Sequence, residues 1–465
     1  MPILGAYIVP HPPVIVPEVG HGRQQEIQKT IEAYEEVSRR ISEAEPETLI
    51  VLTPHAVMYS DYIHISPGKT GQGSLSQFGA PEISIKAPYD EELISALSFE
   101  TSKAGISAGT LGEKDKSLDH GTIVPLYFIG KSLKNYKLVR IATSGLGRDE
   151  HYAFGLCLKQ AILELGRKVV IVASGDLSHK LTSDGPYTYA KEGPIFDREI
   201  TGAMAKSDFL KFLTIDEELV SSAGECGLNS FIVMAGALDQ TEVVASLLSY
   251  EGPFGVGYAV CAYEPKGPDK HRDFGVQAKN LEKIKLDAIK HQEDAYVSLA
   301  RLSLETFVRA HRTLEVPKDL PKNLPEELLN RRAGVFVTLK KKGRLRGCIG
   351  TIGPAESCIA EEIIRNAVSS GASDLRFSPV TEEELSELVY SVDVLSPPEP
   401  IASEEELDVK RYGVIVTSGR KRGLLLPNLE NVTTIKEQVA IALNKANIPE
   451  GDSYSMERFE VVRHH

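Results

Sequence analysis

The chain has 465 residues, more than one ordinary hydrophobic core accommodates, so at least two domains are expected. Its composition, 42% hydrophobic and 25% charged, is that of a globular protein, and no apolar run reaches the roughly 18 residues a membrane span requires. A formal net charge of −13 argues against broad non-specific nucleic-acid binding, which needs a cationic surface, and five cysteines without a CxxC pair fit reduced thiols in a cytoplasm. The start, MPILGAYIVPHPP, has no basic region of the kind that opens a signal peptide.

In chain order, the apolar run 3–9 leads into Pro10-His11-Pro12-Pro13, a helical pattern covers 24–43, and the run 48–53 ends in Thr53-Pro54-His55. Apolar runs at 137–142 and 168–173 flank a helical pattern at 150–166, and a strand over 254–263 closes the region. This alternation predicts an α/β fold with a central, largely parallel sheet. The polar stretch 264–278 carries two prolines and marks a linker, set at 266–284, between a first domain (1–265) and a second (285–465). The second reads as α+β. A helix at about 281–311 and a Pro-rich stretch at 316–325 precede strands at 333–340, 387–395 and 412–418. The last strand turns through 419–423 into 424–427, and helices are expected at 354–370 and 433–446.

In an open α/β sheet, ligands bind beyond the carboxyl ends of the strands, where His11 and His55 should project. Glu225 stands in Gly224-Glu225-Cys226-Gly227, just before the apolar stretch 231–234. Two imidazoles and a carboxylate suit a non-haem Fe(II) centre with open coordination positions. Each residue alone has a plainer reading: a strand-end histidine can bond a backbone carbonyl, and a glutamate in a Gly-rich turn can complement a helix dipole. Cys226, beside Glu225, leaves a sulfur ligand open. After 168–173 comes Ser174-Gly175-Asp176-Leu177-Ser178-His179, which offers His179 for acid–base work at neutral pH. The competing reading makes Asp176 and Ser178 caps of a following helix. His120 lies between Asp119 and Gly121, ahead of another apolar segment.

Taken together, PHPP, TPH, DHGT, SGDLSH and GECG, in that order, resemble the class III extradiol ring-cleavage dioxygenases, the LigB-like superfamily that includes the Memo-like proteins. The resemblance implies Fe(2+) held by His11, His55 and Glu225, with His179 as acid–base residue and His120 in a supporting or substrate-contacting role. It also implies a small aromatic diol and O2 as substrates.

The second domain carries Gly343-Arg344-Leu345-Arg346-Gly347-Cys348-Ile349-Gly350, followed by SDLRFSPVT (373–381) and GLLLPN (423–428). From the residues alone, Cys348 is either a nucleophile activated by Arg346 or a small buried thiol on a Gly-rich strand. The basic run Lys340-Lys341-Lys342 reads as a solvated turn. LRGCIG is the hallmark of the AMMECR family, which this region resembles over about 285–465. The overall expectation is therefore an Fe(II)-dependent extradiol-type dioxygenase with an accessory AMMECR domain. The alternative is a binding or scaffold protein acting with a radical SAM protein, the partner that both resemblances imply. A zinc hydrolase using the same ligands ranks last, because the chain has no HExxH helix. A homo-oligomer is compatible with each.

Overall fold

The computed structural model describes residues 2–113, 117–185, 187–322, 324–429, 432–449 and 451–465. The chain divides into two compact units, Met1–Leu281 and Glu282–His465.

The first unit is built on a six-stranded sheet of β1 (Ile3–Val9), β2 (Thr48–Thr53), β3 (Lys137–Ala142), β4 (Val169–Ser174), β5 (Thr241–Glu251) and β6 (Tyr258–Pro268), in the order β3-β2-β4-β1-β6-β5. The first four strands run parallel, and β6 and β5 are antiparallel additions. Every residue of β2 and β4 is buried, so both faces of the sheet are covered, as parallel strands require. Helix α1 (Gln28–Ala44) packs on α2 (His120–Ser132), and α3 (Arg148–Leu165) packs on α4 (Leu228–Ala237). A two-stranded hairpin, Thr70–Leu75 with Ala80–Pro88, stands apart from the main sheet.

The region expected as a linker is regular structure. Strand β6 continues to Pro268, and helix α5 (Phe274–Gln292) runs across the division between the units. The single helix expected over 281–311 is two helices, because the Asp294 carboxylate accepts the backbone N–H groups of Tyr296 and Val297 and so starts α6 (Ala295–Ala310) afresh.

The second unit holds a seven-stranded antiparallel sheet. Its main path comprises β7 (Val335–Lys341), β8 (Arg344–Gly350), β9 (Leu388–Leu395), β10 (Tyr412–Ser418), β11 (Lys421–Leu425) and β12 (Ser455–His464), in the order β8-β7-β9-β12-β10-β11. A short strand, Glu399–Ile401, pairs with β12 off this path. Helix α7 (Ile359–Ala372) packs against α6, β7 and β8, and α8 (Ile435–Lys445) against β10 and β11. The β10–β11 turn is tighter than expected: Ser418 already pairs with Lys421, and Gly419 supplies the positive φ of 59°. Among the described residues, no helix is long and apolar enough to cross a membrane.

Candidate metal centre

Strands β2, β4 and β1 are neighbours, so their carboxyl ends bring three loops to one crevice. His11 follows β1 and is 1% exposed. Its backbone N–H donates to Asp176 Oδ1 at 2.8 Å, and its Nδ1 lies 2.9 Å from Ser174 Oγ at the end of β4. The Ser174 hydroxyl donates its one hydrogen to the Gly121 carbonyl at 2.6 Å, so it can only accept from His11 Nδ1–H. This fixes the tautomer and leaves the Nε2 lone pair free for a ligand. Nε2 lies 3.6 Å from Cys226 Sγ and 3.9 Å from Asp176 Oδ2.

His55 follows β2, and its ring sits edge-on to His11 with centroids 4.6 Å apart. His120, the first residue of α2, stacks on His55 at 4.3 Å and meets His11 at 5.3 Å. Asp119 caps this helix by accepting from Thr122 N, and Thr53 Oγ1 donates to it at 2.6 Å, which ties the start of α2 to the end of β2. The His179 ring is stacked on Tyr187 at 5.3 Å, and the nearby His55 imidazole disfavours its protonation. Burial, reinforced by neighbouring imidazoles, holds His11 well below the usual histidine range and lowers His120 and His179 each to about 4. All three are neutral at pH 7.

The carboxylate expected as third ligand is hydrogen-bonded at the start of a helix. Glu225 Oε2 accepts the Leu228 N–H at 2.6 Å, at the start of α4, and burial pushes Glu225 up to about 7. Cys226, its neighbour in the chain, is the residue that groups with the two histidines. One nitrogen from each of His11 and His55 and the Cys226 sulfur lie within 4.8 Å of one another, and Glu225 is not in this group. The Cys226 loop reaches the site because both touching backbones are glycine: a Cβ on Gly175 would lie 2.1 Å from Gly227 Cα. This approach lets Cys226 Sγ accept the Asp176 N–H at 3.3 Å. Burial raises the Cys226 thiol well above its ordinary range, so it keeps its proton until a metal replaces it.

Asp176 does not cap a helix; the next helix begins at Glu192. Its carboxyl faces His11, and burial raises it to about 7. Sequence reasoning assigned no role to Ser174 or Tyr187. The signal for Ser174 was its position at the carboxyl end of a fully buried central strand, next to the strand that delivers His11. A cavity of about 800 Å³ opens beside His55 and His120.

In the second unit, Arg346 and Cys348 both lie on edge strand β8. The Arg346 guanidinium is committed to Glu384, with Nε–Oε1 at 3.0 Å and Nη2–Oε2 at 2.8 Å. The half-buried Cys348 accepts from Thr338 Oγ1 at 3.3 Å. Its backbone N–H donates to Asp374 at 2.9 Å, and its carbonyl accepts from Arg376 at 3.2 Å. The two motifs seen in sequence thus zip together along the sheet edge. Gly347 lets β8 lie against α7, since a Cβ there would meet the Ser370 carbonyl oxygen at 2.1 Å.

The first unit is thus a largely parallel α/β domain with a two-histidine, one-cysteine donor set at its strand ends. The chain belongs to the family of the catalytic LigB subunit of aromatic ring-opening dioxygenase, matched over residues 5–261, and carries an AMMECR1 domain over 297–464. Protein CA_C1420 of Clostridium acetobutylicum is 42% identical and shares the whole architecture, with 100% of this chain and 99% of that protein covered. A Thermotoga maritima protein is 48% identical over 37% of this chain and 98% of its own length. Among solved structures, uncharacterized protein PH0010 from Pyrococcus horikoshii covers 37% of this chain and 90% of its own, at 33% identity and a TM-score of 0.34. Uncharacterized protein JW3007 from Escherichia coli K12 covers 56% and 99%, at 13% identity and a TM-score of 0.39.

Proposed function

We propose that the N-terminal domain is a metal-dependent oxidoreductase of the extradiol dioxygenase type, acting on an aromatic diol, with Fe(II) held by His11, His55 and Cys226. The supporting observation is the convergence of these three donors, of which His55 lines the neighbouring cavity. The donor set fits a transition metal: one imidazole is locked in the metal-ready tautomer, one faces the cavity, and the third donor is a thiol able to become an anionic thiolate. When bound, Fe(II) would supply the redox chemistry that joins O2 to the diol. The protein's own part is proton handling and placement. His179 and His120, both neutral at pH 7, can accept a hydroxyl proton from a substrate beside His55. Tyr187 holds the His179 ring by stacking.

Cys226 favours one alternative, since a thiolate is softer than a carboxylate and suits Zn or Cu(I). Oxygen uptake by the Fe(II)-loaded protein with a panel of catechols tests the reading. Uptake that is lost in His179→Ala while iron stays bound is expected. No uptake with any catechol, or equal uptake in His179→Ala, would reject it. A radical SAM partner remains a separate proposal, which co-purification of the two proteins would test.

A further inference from the structure

We infer that the substrate is not a free single-ring diol but a larger hydrophilic molecule, bound by one face of the hairpin Thr70–Leu75/Ala80–Pro88 through hydroxyl or amide groups and one anionic group. This rests on the diol reading above and extends it to the non-reacting part of the substrate.

Three observations carry the inference. The cavity beside His55 and His120 measures about 800 Å³, towards the upper end of the ~300–1,000 Å³ that holds drug-sized ligands, so a benzenediol would leave most of it to water. Its wall also has the wrong chemistry for a bare ring. Small-ligand pockets are mostly apolar with a few polar groups, whereas here the apolar side chains are few, chiefly Val57 and Leu118. Finally, the hairpin register explains the polarity. Gln72 pairs with Lys86 and Ser74 with Ser84, so directly opposed residues of the two strands present their side chains on one face, and all four line the cavity.

These groups are available. Among the described residues, the Gln72 amide makes no hydrogen bond and the Lys86 ammonium no ion pair, and both are exposed. The deeper charges are already used: Arg140 donates to Ser66 at 2.6 Å and to the Ser117 carbonyl, and lies 3.7 Å from Asp119. An unengaged cation beside an amide and two hydroxyls suits a carboxylate or phosphate on a polyhydroxylated or peptide-like body.

Anaerobic calorimetry on the full-length Fe(II)-loaded protein tests this with three probes. They are 4-methylcatechol, chlorogenate (a catechol joined to the hydroxyl-rich acid quinate) and quinate alone. Chlorogenate should bind about tenfold tighter than 4-methylcatechol, and Lys86→Ala or Gln72→Leu should cut that ratio about fivefold or more. Both substitutions lie at exposed positions, and circular dichroism checks that the fold persists. Chlorogenate binding no tighter than 4-methylcatechol, or a ratio unchanged in both variants, overturns the inference. If neither diol binds but quinate does so in a Lys86-dependent manner, the diol reading fails and the hydrophilic site stands. If no probe binds, both fail.

Discussion

The two units each present a sequence signature ending in special glycines, yet the signatures do different work. In the first unit, the motif side chains converge on one another: His11 Nε2, the His55 ring and Cys226 Sγ meet, and the 3.6 Å contact of Cys226 Sγ with His11 Nε2 is one a metal ion would replace. In the second, the Cys348 backbone is bonded to Asp374 and Arg376 of SDLRFSP, and Arg346 pairs with Glu384 outside both motifs. Donors gathered in this way mark the first as a candidate metal centre. In the second motif the backbone bonds tie the sheet edge together.

This contrast can be broken from either side. The largest effect is expected at the metal centre: His11→Ala or Cys226→Ala should weaken metal binding by more than the ~10–100-fold that loss of an outer-shell partner costs, with the fold retained. Elemental analysis after dialysis, alongside thermal unfolding, checks both halves. Gly347→Ala should do the converse, destabilising the second unit by about 3 kcal/mol through the clash with the Ser370 carbonyl while metal content stays the same; chemical denaturation measures it.

Arg346→Ala should cost about 2 kcal/mol and reduce an acid-limb dependence. Glu384, hydrogen-bonded by Arg346, is lowered from 4.5 to about 2 in the fold. Its stabilisation is therefore present above about 4.5 and lost as pH falls towards about 2; this part of the stability–pH slope should shrink in the variant, where the Thr381 N–H and Lys341 still bond Glu384. Ser174→Ala should leave the metal stoichiometry intact but lower affinity about tenfold, because His11 loses the acceptor that fixes its tautomer. Cys348→Ser should be the mildest, within about 1 kcal/mol, and should leave any activity of the first unit unchanged.

Much of this was legible in the sequence. Continuous apolar runs give β1, β2, β3 and β4 to within a residue, because strands of a parallel sheet are buried on both faces and carry no alternation to misread. The histidines at their ends were visible for the same reason. The grouping of Cys226 with the two histidines was harder to read, because Glu225 and Cys226 are adjacent in the chain and the close approach of Gly175 to Gly227 is not visible in the sequence. Strand β12 also escaped: Arg458, Glu460 and Arg463 make it look like a surface segment, yet it lies centrally between β9 and β10. Its charges are paired laterally, Arg463 with Asp393 and Glu460 with Arg411. The hairpin 70–88 was missed because its polar residues face a cavity rather than a core.

X-ray absorption on the metal-loaded protein, compared with Cys226→Ala and Glu225→Gln, tests the central claim most directly. The account predicts one sulfur scatterer at about 2.3 Å in the wild-type protein and in Glu225→Gln, and none in Cys226→Ala. A shell of nitrogen and oxygen only, with metal lost from Glu225→Gln and kept by Cys226→Ala, would contradict it.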